Sequence, residues 1–269
     1  MQRTRPAPKA TTTAPAVESE RIIRVYVWEL PVRLVHWTIF ITTVILAVTG
    51  YYLYNPFIVS VTPNAFLMGW MRAIHEVTAF VFTAAFLARV YWFFAGNRFA
   101  HWRAFIPLKR SQWRGIRDML KYYLFLSWRS PEAVGHNSLA AFFYLVVYAI
   151  MLVQIVTGFA LYQAVVHTQP WQFLFGWVPV WINLQYLLEI HFLIMFVFIA
   201  FTVHHVYSSL LVSAEEKNGL MGSMFSGHKF VPQRLVESEE EEESPEPPAA
   251  PVTEPSPDGR KKALVPADD

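Results

Sequence analysis

Four stretches of this sequence, at about residues 34–54, 70–94, 139–162 and 182–212, are apolar over a length that a soluble fold rarely needs to bury. Each reaches the roughly 20 residues that a helix requires to cross a hydrocarbon layer of about 30 Å. Inside a bilayer a backbone satisfies its own hydrogen bonds only as a helix or a closed barrel. Continuous apolar runs, rather than alternating ones, select the helix. The expected fold is therefore all-α, an integral membrane bundle of four transmembrane helices. The last stretch exceeds a minimal span, so it tilts or protrudes. Composition agrees, with 54% hydrophobic and only 16% charged residues, greasier than an ordinary soluble domain.

The basic residues set the expected orientation. Arg3, Arg5, Lys9, Arg21, Arg24 and Arg33 precede the first span. Arg98, Arg103, Lys109, Arg110, Arg114, Arg117, Lys121 and Arg129 lie between the second and third. The loops at 55–69 and 163–181 contain neither Lys nor Arg. By the positive-inside rule those two loops face outward, and the basic loop and both termini are cytoplasmic. Residues 1–24, rich in Pro, Thr and Ala, read as a disordered leader. Residues 25–235 form the membrane domain, and 236–269 an acidic, Pro-rich disordered tail. No internal repeat is apparent at this level, and no nucleic-acid partner is expected.

An ionisable side chain within a span is costly and ordinarily turns toward the bundle interior for a reason. The sequence has no cysteine, which removes disulfides, thiolate metal sites and covalently tethered haem. Histidines remain. His36 lies near the cytoplasmic start of the first span, His75 near the outer start of the second, His191 in the outer half of the fourth, and His204 and His205 in its inner half. At about 100° per residue, His191 and His205 return to within roughly 40° of one face about 21 Å apart, whereas His204 points to nearly the opposite side. By depth, His75 is level with His191 and His36 with His205. Two facing imidazoles at each of two levels suit a pair of b-type haems held between helices. Zinc is the rival metal, but two ligands per level without a carboxylate or thiolate make a poor tetrahedral site. Gly50 and Gly158, near the outer ends of the first and third spans, admit either a flat macrocycle or a closely packed helix.

These residues are similar to a known family. RLVHWTIFITTVILAVTG (33–50) and HFLIMFVFIAFTVHHVY (191–207) resemble the first-helix and fourth-helix signatures of the b-type cytochrome subunit of nickel–iron uptake hydrogenases. RVYWFFAGNRFAHWRAFIP (89–107), GHNSLA (135–140) and NGLMGSMFSGHKFV (218–231) look like the same family, so the resemblance covers roughly residues 24–231. In the fourth-helix signature a Phe precedes the last ligand by four residues, as Phe201 precedes His205. Thr38, Leu188 and Glu189 depart from the preferred residue types, beside the ligands rather than at them. The resemblance implies that His36, His75, His191 and His205 are axial ligands of two b haems, paired His75/His191 outside and His36/His205 inside. It further implies a multi-pass protein of the bacterial cytoplasmic membrane. Such a subunit receives electrons from hydrogenase small and large subunits on the periplasmic face and delivers them to a membrane quinone.

His136 and Asn137, at the cytoplasmic start of the third span, either bind or protonate that quinone or simply cap the helix. Glu29 is a weaker candidate for the same proton path, and Glu76 and Glu189 adjoin two of the histidines. His101, His167 and His228 read as surface residues. Two other functions fit the same spans: the cytochrome subunit of another periplasmic oxidoreductase, of formate dehydrogenase or thiosulfate reductase type, and a four-helix transporter whose histidines relay protons or bind a metal.

Overall fold

The computed structural model describes residues 20–58, 66–128 and 133–243. Its chain runs β1 (Ile22–Tyr26), α1 (Leu30–Tyr54), α2 (Leu67–Ala95), α3 (Arg110–Tyr123), α4 (Ser138–Val166), α5 (Gln169–Phe175), α6 (Val178–Trp181), α7 (Leu184–Glu216), α8 (Leu220–Ser226), β2 (His228–Pro232) and α9 (Gln233–Glu243). The four long helices, α1, α2, α4 and α7, contain 25, 29, 29 and 33 residues. At 1.5 Å per residue they measure roughly 38–50 Å, enough to cross a bilayer.

Local chemistry sets where these helices begin. Pro31 stands in the first turn of α1, where its missing N–H costs nothing. Asn137 and Asn183 cap α4 and α7 through their side-chain oxygens, which accept from Ala140 N and Tyr186 N. α1 and α2 begin four and three residues before their apolar runs, whereas α4 and α7 begin within two residues of theirs and run four residues past the end. On α1, Leu34, Ile41 and Val48 are exposed at seven-residue spacing, two turns apart on one face, while Thr42 and Thr49 on another face are buried. An apolar exterior over a more polar interior is the arrangement that lipid as a solvent permits.

α1 packs against α2 and α7, and α4 packs against α2 and α7. This closes a four-membered ring with α1 opposite α4 and α2 opposite α7. The starts of α1 and α4 and the ends of α2 and α7 share one end of the bundle, here the proximal end; α5 and α6 lie at the distal end.

The proximal end carries a small cap absent from the all-α expectation. β1 and β2 pair antiparallel from Ile22↔Pro232 to Tyr26↔His228. Five-residue strands so far apart in sequence leave little pattern to read, yet pairing satisfies backbone groups that would otherwise lack partners. Below them Val27, Trp28, Val32, Ala100, Val134 and Val231 form a buried cluster. Trp28 Nε1 donates to Ser223 Oγ at 3.0 Å, and Glu29 accepts from Trp92 Nε1 and Asn97 N, both at 2.9 Å. α9 continues the chain in helix past residue 235, where the acidic tail was expected to start. It is held by Glu239, which accepts from Val134 N at 3.1 Å, and by the Arg98–Glu240 pair at 3.6 Å. The remainder of the expected tail, 244–269, and most of the expected leader lie outside the described residues. α3 runs along α4 with Arg110, Arg114, Arg117 and Lys121 on its surface beside an exposed Trp113, the character of a helix lying in a membrane interface.

Candidate functional site

The helical ring encloses two cavities, one above the other, each lined by all four long helices. The distal cavity, about 420 Å³, is lined by His75 and His191. The proximal one, about 470 Å³, is lined by His36, His205 and His136. Thr43 and Phe198 border both.

Across the distal cavity the rings of His75 and His191 lie with centroids 6.4 Å apart, inclined at 70°. Across the proximal cavity those of His36 and His205 lie 6.2 Å apart at 60°. Metal–imidazole bonds of about 2.0–2.1 Å, extended by about 1.1 Å from nitrogen to ring centre, place two trans imidazoles about 6.3 Å apart across one ion. Both pairs therefore have the separation that a six-coordinate haem iron requires. His204, one step of about 100° away, is exposed on the outer surface. Among the described residues no three His, Asp or Glu side chains converge as a metal site. Two trans donors beside an apolar cavity fit a planar iron macrocycle and do not fit tetrahedral zinc.

Glycine provides the room. A Cβ added at Gly158 would lie 2.9 Å from His191 Cε1, and one at Gly50 would lie 3.1 Å from His75 Cε1. Each imidazole thus sits directly against a helix that only glycine allows so near.

The outer nitrogens of these rings are held unequally. His75 Nδ1 lies 2.9 Å from Thr49 Oγ1, and His191 Nδ1 lies 3.0 Å from Thr157 Oγ1. His205 Nδ1 has Tyr144 OH at 3.3 Å and its ring stacks at 9° on Phe201, while His36 Nδ1 is buried and has no partner among the described residues. Gln154 Nε2 lies 3.3 Å from His191 Nε2 and 3.1 Å from the His191 carbonyl, so the carbonyl bond alone can hold the amide when that nitrogen binds a metal.

The other candidates separate. His136 enters the proximal cavity between Trp28, Tyr144 and Phe105, at 4.5, 4.8 and 5.6 Å between centroids. Burial, then the charges of Lys229 and Arg89, push its imidazole down to about 3, so it is neutral near pH 7. Asn137 borders the same cavity, but its Oδ1 is committed to the α4 cap at 2.8 Å from Ala140 N. Glu29 is occupied by Trp92 and Asn97 in the cap. Glu76 lines the distal cavity, and Glu189 accepts from Gln185 one turn away. His101 accepts weakly from Arg103 N, His167 ends α4 in a left-handed conformation, and His228 pairs with Arg24.

The threonines escape a reading of the sequence made span by span, but a comparison of spans reveals them. α1 carries V-T-G-x-x-L-Y at 48–54 and α4 carries it at 156–162. α2 carries I-H-x-x-x-x-F-V-F at 74–82 and α7 carries it at 190–198. The chain thus contains an internal repeat, α1–α2 matched by α4–α7, where none was expected because neither half shows it alone. The ring order places the two copies around a two-fold axis along the bundle. In the same registers Tyr144 matches His36 and Arg89 matches His205, so the distal pair obeys the repeat and the proximal pair breaks it.

A four-helix membrane protein with stacked bis-histidine cavities belongs to the class of membrane b-type cytochromes, which carry haem b and transport electrons. Residues 27–227 match the profile described as prokaryotic cytochrome b561, and the chain belongs to that family. It is 35% identical over 238 residues, 85% of this chain and 97% of the relative, to a Cupriavidus necator protein named "Probable Ni/Fe-hydrogenase B-type cytochrome subunit". An Azotobacter vinelandii protein of the same name is 35% identical, covering 77% of this chain and 88% of its own. The corresponding hydrogenase 1 protein of Escherichia coli K12 is 33% identical, covering 79% and 95%.

Proposed function

We propose that this chain is the membrane cytochrome subunit of a nickel–iron hydrogenase, holding two b haems and carrying electrons from hydrogen oxidation to a quinone. The observation that carries the reading is the pair of bis-histidine levels, with ring centres 6.4 and 6.2 Å apart, each opening on its own cavity. When bound, each haem supplies a one-electron iron couple. His75 and His191 hold the distal group, and His36 and His205 the proximal one. By the positive-inside rule the Lys- and Arg-free loops support a periplasmic distal end, the face proposed for docking of the hydrogenase small and large subunits, with the basic α3 side in the cytoplasm. Names of the relatives support the hydrogenase partner over formate dehydrogenase or thiosulfate reductase.

The quinone site lies at the proximal end. His136, neutral and caged by aromatic rings, offers an N–H and a lone pair to a quinone oxygen rather than a charge. The Nδ2 group of Asn137 offers a second donor. Replacing His136 with Leu, or Asn137 with Ser, which preserves the cap, should leave both haems bound and reducible by hydrogen through the partner. Quinone reduction should fall at least about tenfold, the smaller end of what a lost proton-transfer group costs. Haem loss, or undiminished quinone turnover, in both variants would place the quinone elsewhere.

A further inference from the structure

We propose that Thr49 and Thr157 are paired positioning residues that fix the proton of each distal haem ligand on Nδ1 and thereby lower the reduction potential of the distal haem relative to the proximal one. The inference rests on the haem reading above.

Each threonine has one hydroxyl proton, and its destination follows from the distances. Thr49 Oγ1 donates to Ile45 O at 2.7 Å, and Thr157 Oγ1 donates to Val153 O at 2.9 Å. A hydroxyl whose proton is spent on a carbonyl meets a third polar atom only as an acceptor. His75 Nδ1 and His191 Nδ1, at 2.9 and 3.0 Å, therefore donate to it. The proton on Nδ1 leaves Nε2 with its lone pair free for iron. Both threonines are almost wholly buried, 4% and 5% exposed, so water does not compete.

The repeat gives an argument independent of these distances. The same Thr-Gly step, 49–50 and 157–158, faces a histidine of the neighbouring helix in each half. Glycine admits the ring and the preceding hydroxyl receives its N–H, so one clamp is used twice on opposite sides of one cavity. Among the described residues the proximal level has no such clamp, with Tyr144 OH at 3.3 Å from His205 Nδ1 and no partner for His36 Nδ1.

Donation from Nδ1–H makes an imidazole a stronger electron donor to its metal. A stronger donor favours the ferric over the ferrous state, so the clamp lowers the potential of the distal haem. With haems held by His75/His191 and by His36/His205, one-electron transfer from the distal to the proximal level, oxidising the first and reducing the second, would then be favourable. The clamp sets direction in a pathway whose two ligand sets are otherwise chemically alike.

The test uses the purified full-length cytochrome with its haems, the isosteric variants Thr49→Val and Thr157→Val, and the conservative variants Thr49→Ser and Thr157→Ser. A His191→Ala variant, retaining the proximal haem alone, assigns the signals. Each Val variant should shift the distal midpoint upward, reducing the distal-to-proximal equilibrium constant by about three- to tenfold. At 59 mV per tenfold for one electron, that is about 30–60 mV. The distal low-spin ferric EPR signal should move with it, the proximal midpoint should stay, and Ser should restore the wild-type values. Because Val copies the shape of Thr, loss of the distal haem from Val but not from Ser would equally assign the effect to the hydroxyl. Unchanged distal potentials with both haems present would overturn the proposal. Loss of the distal haem from both Val and Ser, or an effect at only one of the two threonines, would also overturn it. Wild-type protein without haem would instead refute the reading on which it rests.

Discussion

Alanine at position 205 should remove the proximal haem and end quinone reduction, whereas alanine at the adjacent position 204 should leave both haems in place. The His205 ring looks into the proximal cavity, 6.2 Å from that of His36, stacked on Phe201 and within reach of Tyr144 OH. His204 projects about 100° away onto the outer surface. An iron that loses one of two protein ligands loses its main attachment here, since no cysteine tethers the macrocycle. The haem-to-protein ratio of His205→Ala should fall from about two to about one, with the distal spectrum surviving, while His204→Ala keeps about two. Equal haem loss from both replacements would contradict the face assignment.

Gly158→Ala should be nearly as damaging at the other level. The new methyl carbon would sit 2.9 Å from His191 Cε1, closer than real side-chain carbons approach, and the obstacle is a ring already tied to Thr157. Either the ring leaves its axial direction or α4 moves from α7. Both outcomes break the distal site while the proximal one, centred on different residues, remains. Haem analysis should show loss of the distal haem. Hydrogen-driven reduction through the partner should collapse, while dithionite still reduces the proximal haem. Gly50→Ala, with 3.1 Å to His75 Cε1, should act in the same direction but more mildly. Full retention of an unaltered distal haem in Gly158→Ala would show that the close approach carries no function.

The two levels were legible in the sequence because depth and direction along a straight helix follow from residue count alone. Fourteen steps on one helix bring His191 and His205 to one seam, and no tertiary knowledge is needed. Which residue of another helix stands behind each ring depends on helix rotation and packing, which one span does not encode. Within its own span each of Thr49 and Thr157 is an ordinary polar member of an apolar helix. Their signal was present as a repetition between spans. The β1–β2 cap was illegible for a different reason. Its first strand, Ile22–Tyr26, is rich in β-favouring Ile, Val and Tyr, but each strand is only five residues long and its partner lies about two hundred residues away, so nothing local names the pairing. Asn137 illustrates a residue with two readings. The cap uses its Oδ1, and the amide nitrogen remains for the quinone site proposed above.

Every step proposed above depends on two haems held between His36, His75, His191 and His205, so the most direct measurement is the haem b content and optical spectrum of the purified chain, oxidised and dithionite-reduced. The structure leads us to expect about two haems per chain, both low-spin with six-coordinate iron, and both extractable by acid acetone in the absence of a thioether link. A ratio near zero would contradict the account, leaving the histidine pairs to the transporter reading. A high-spin, five-coordinate spectrum would contradict the bis-histidine levels themselves.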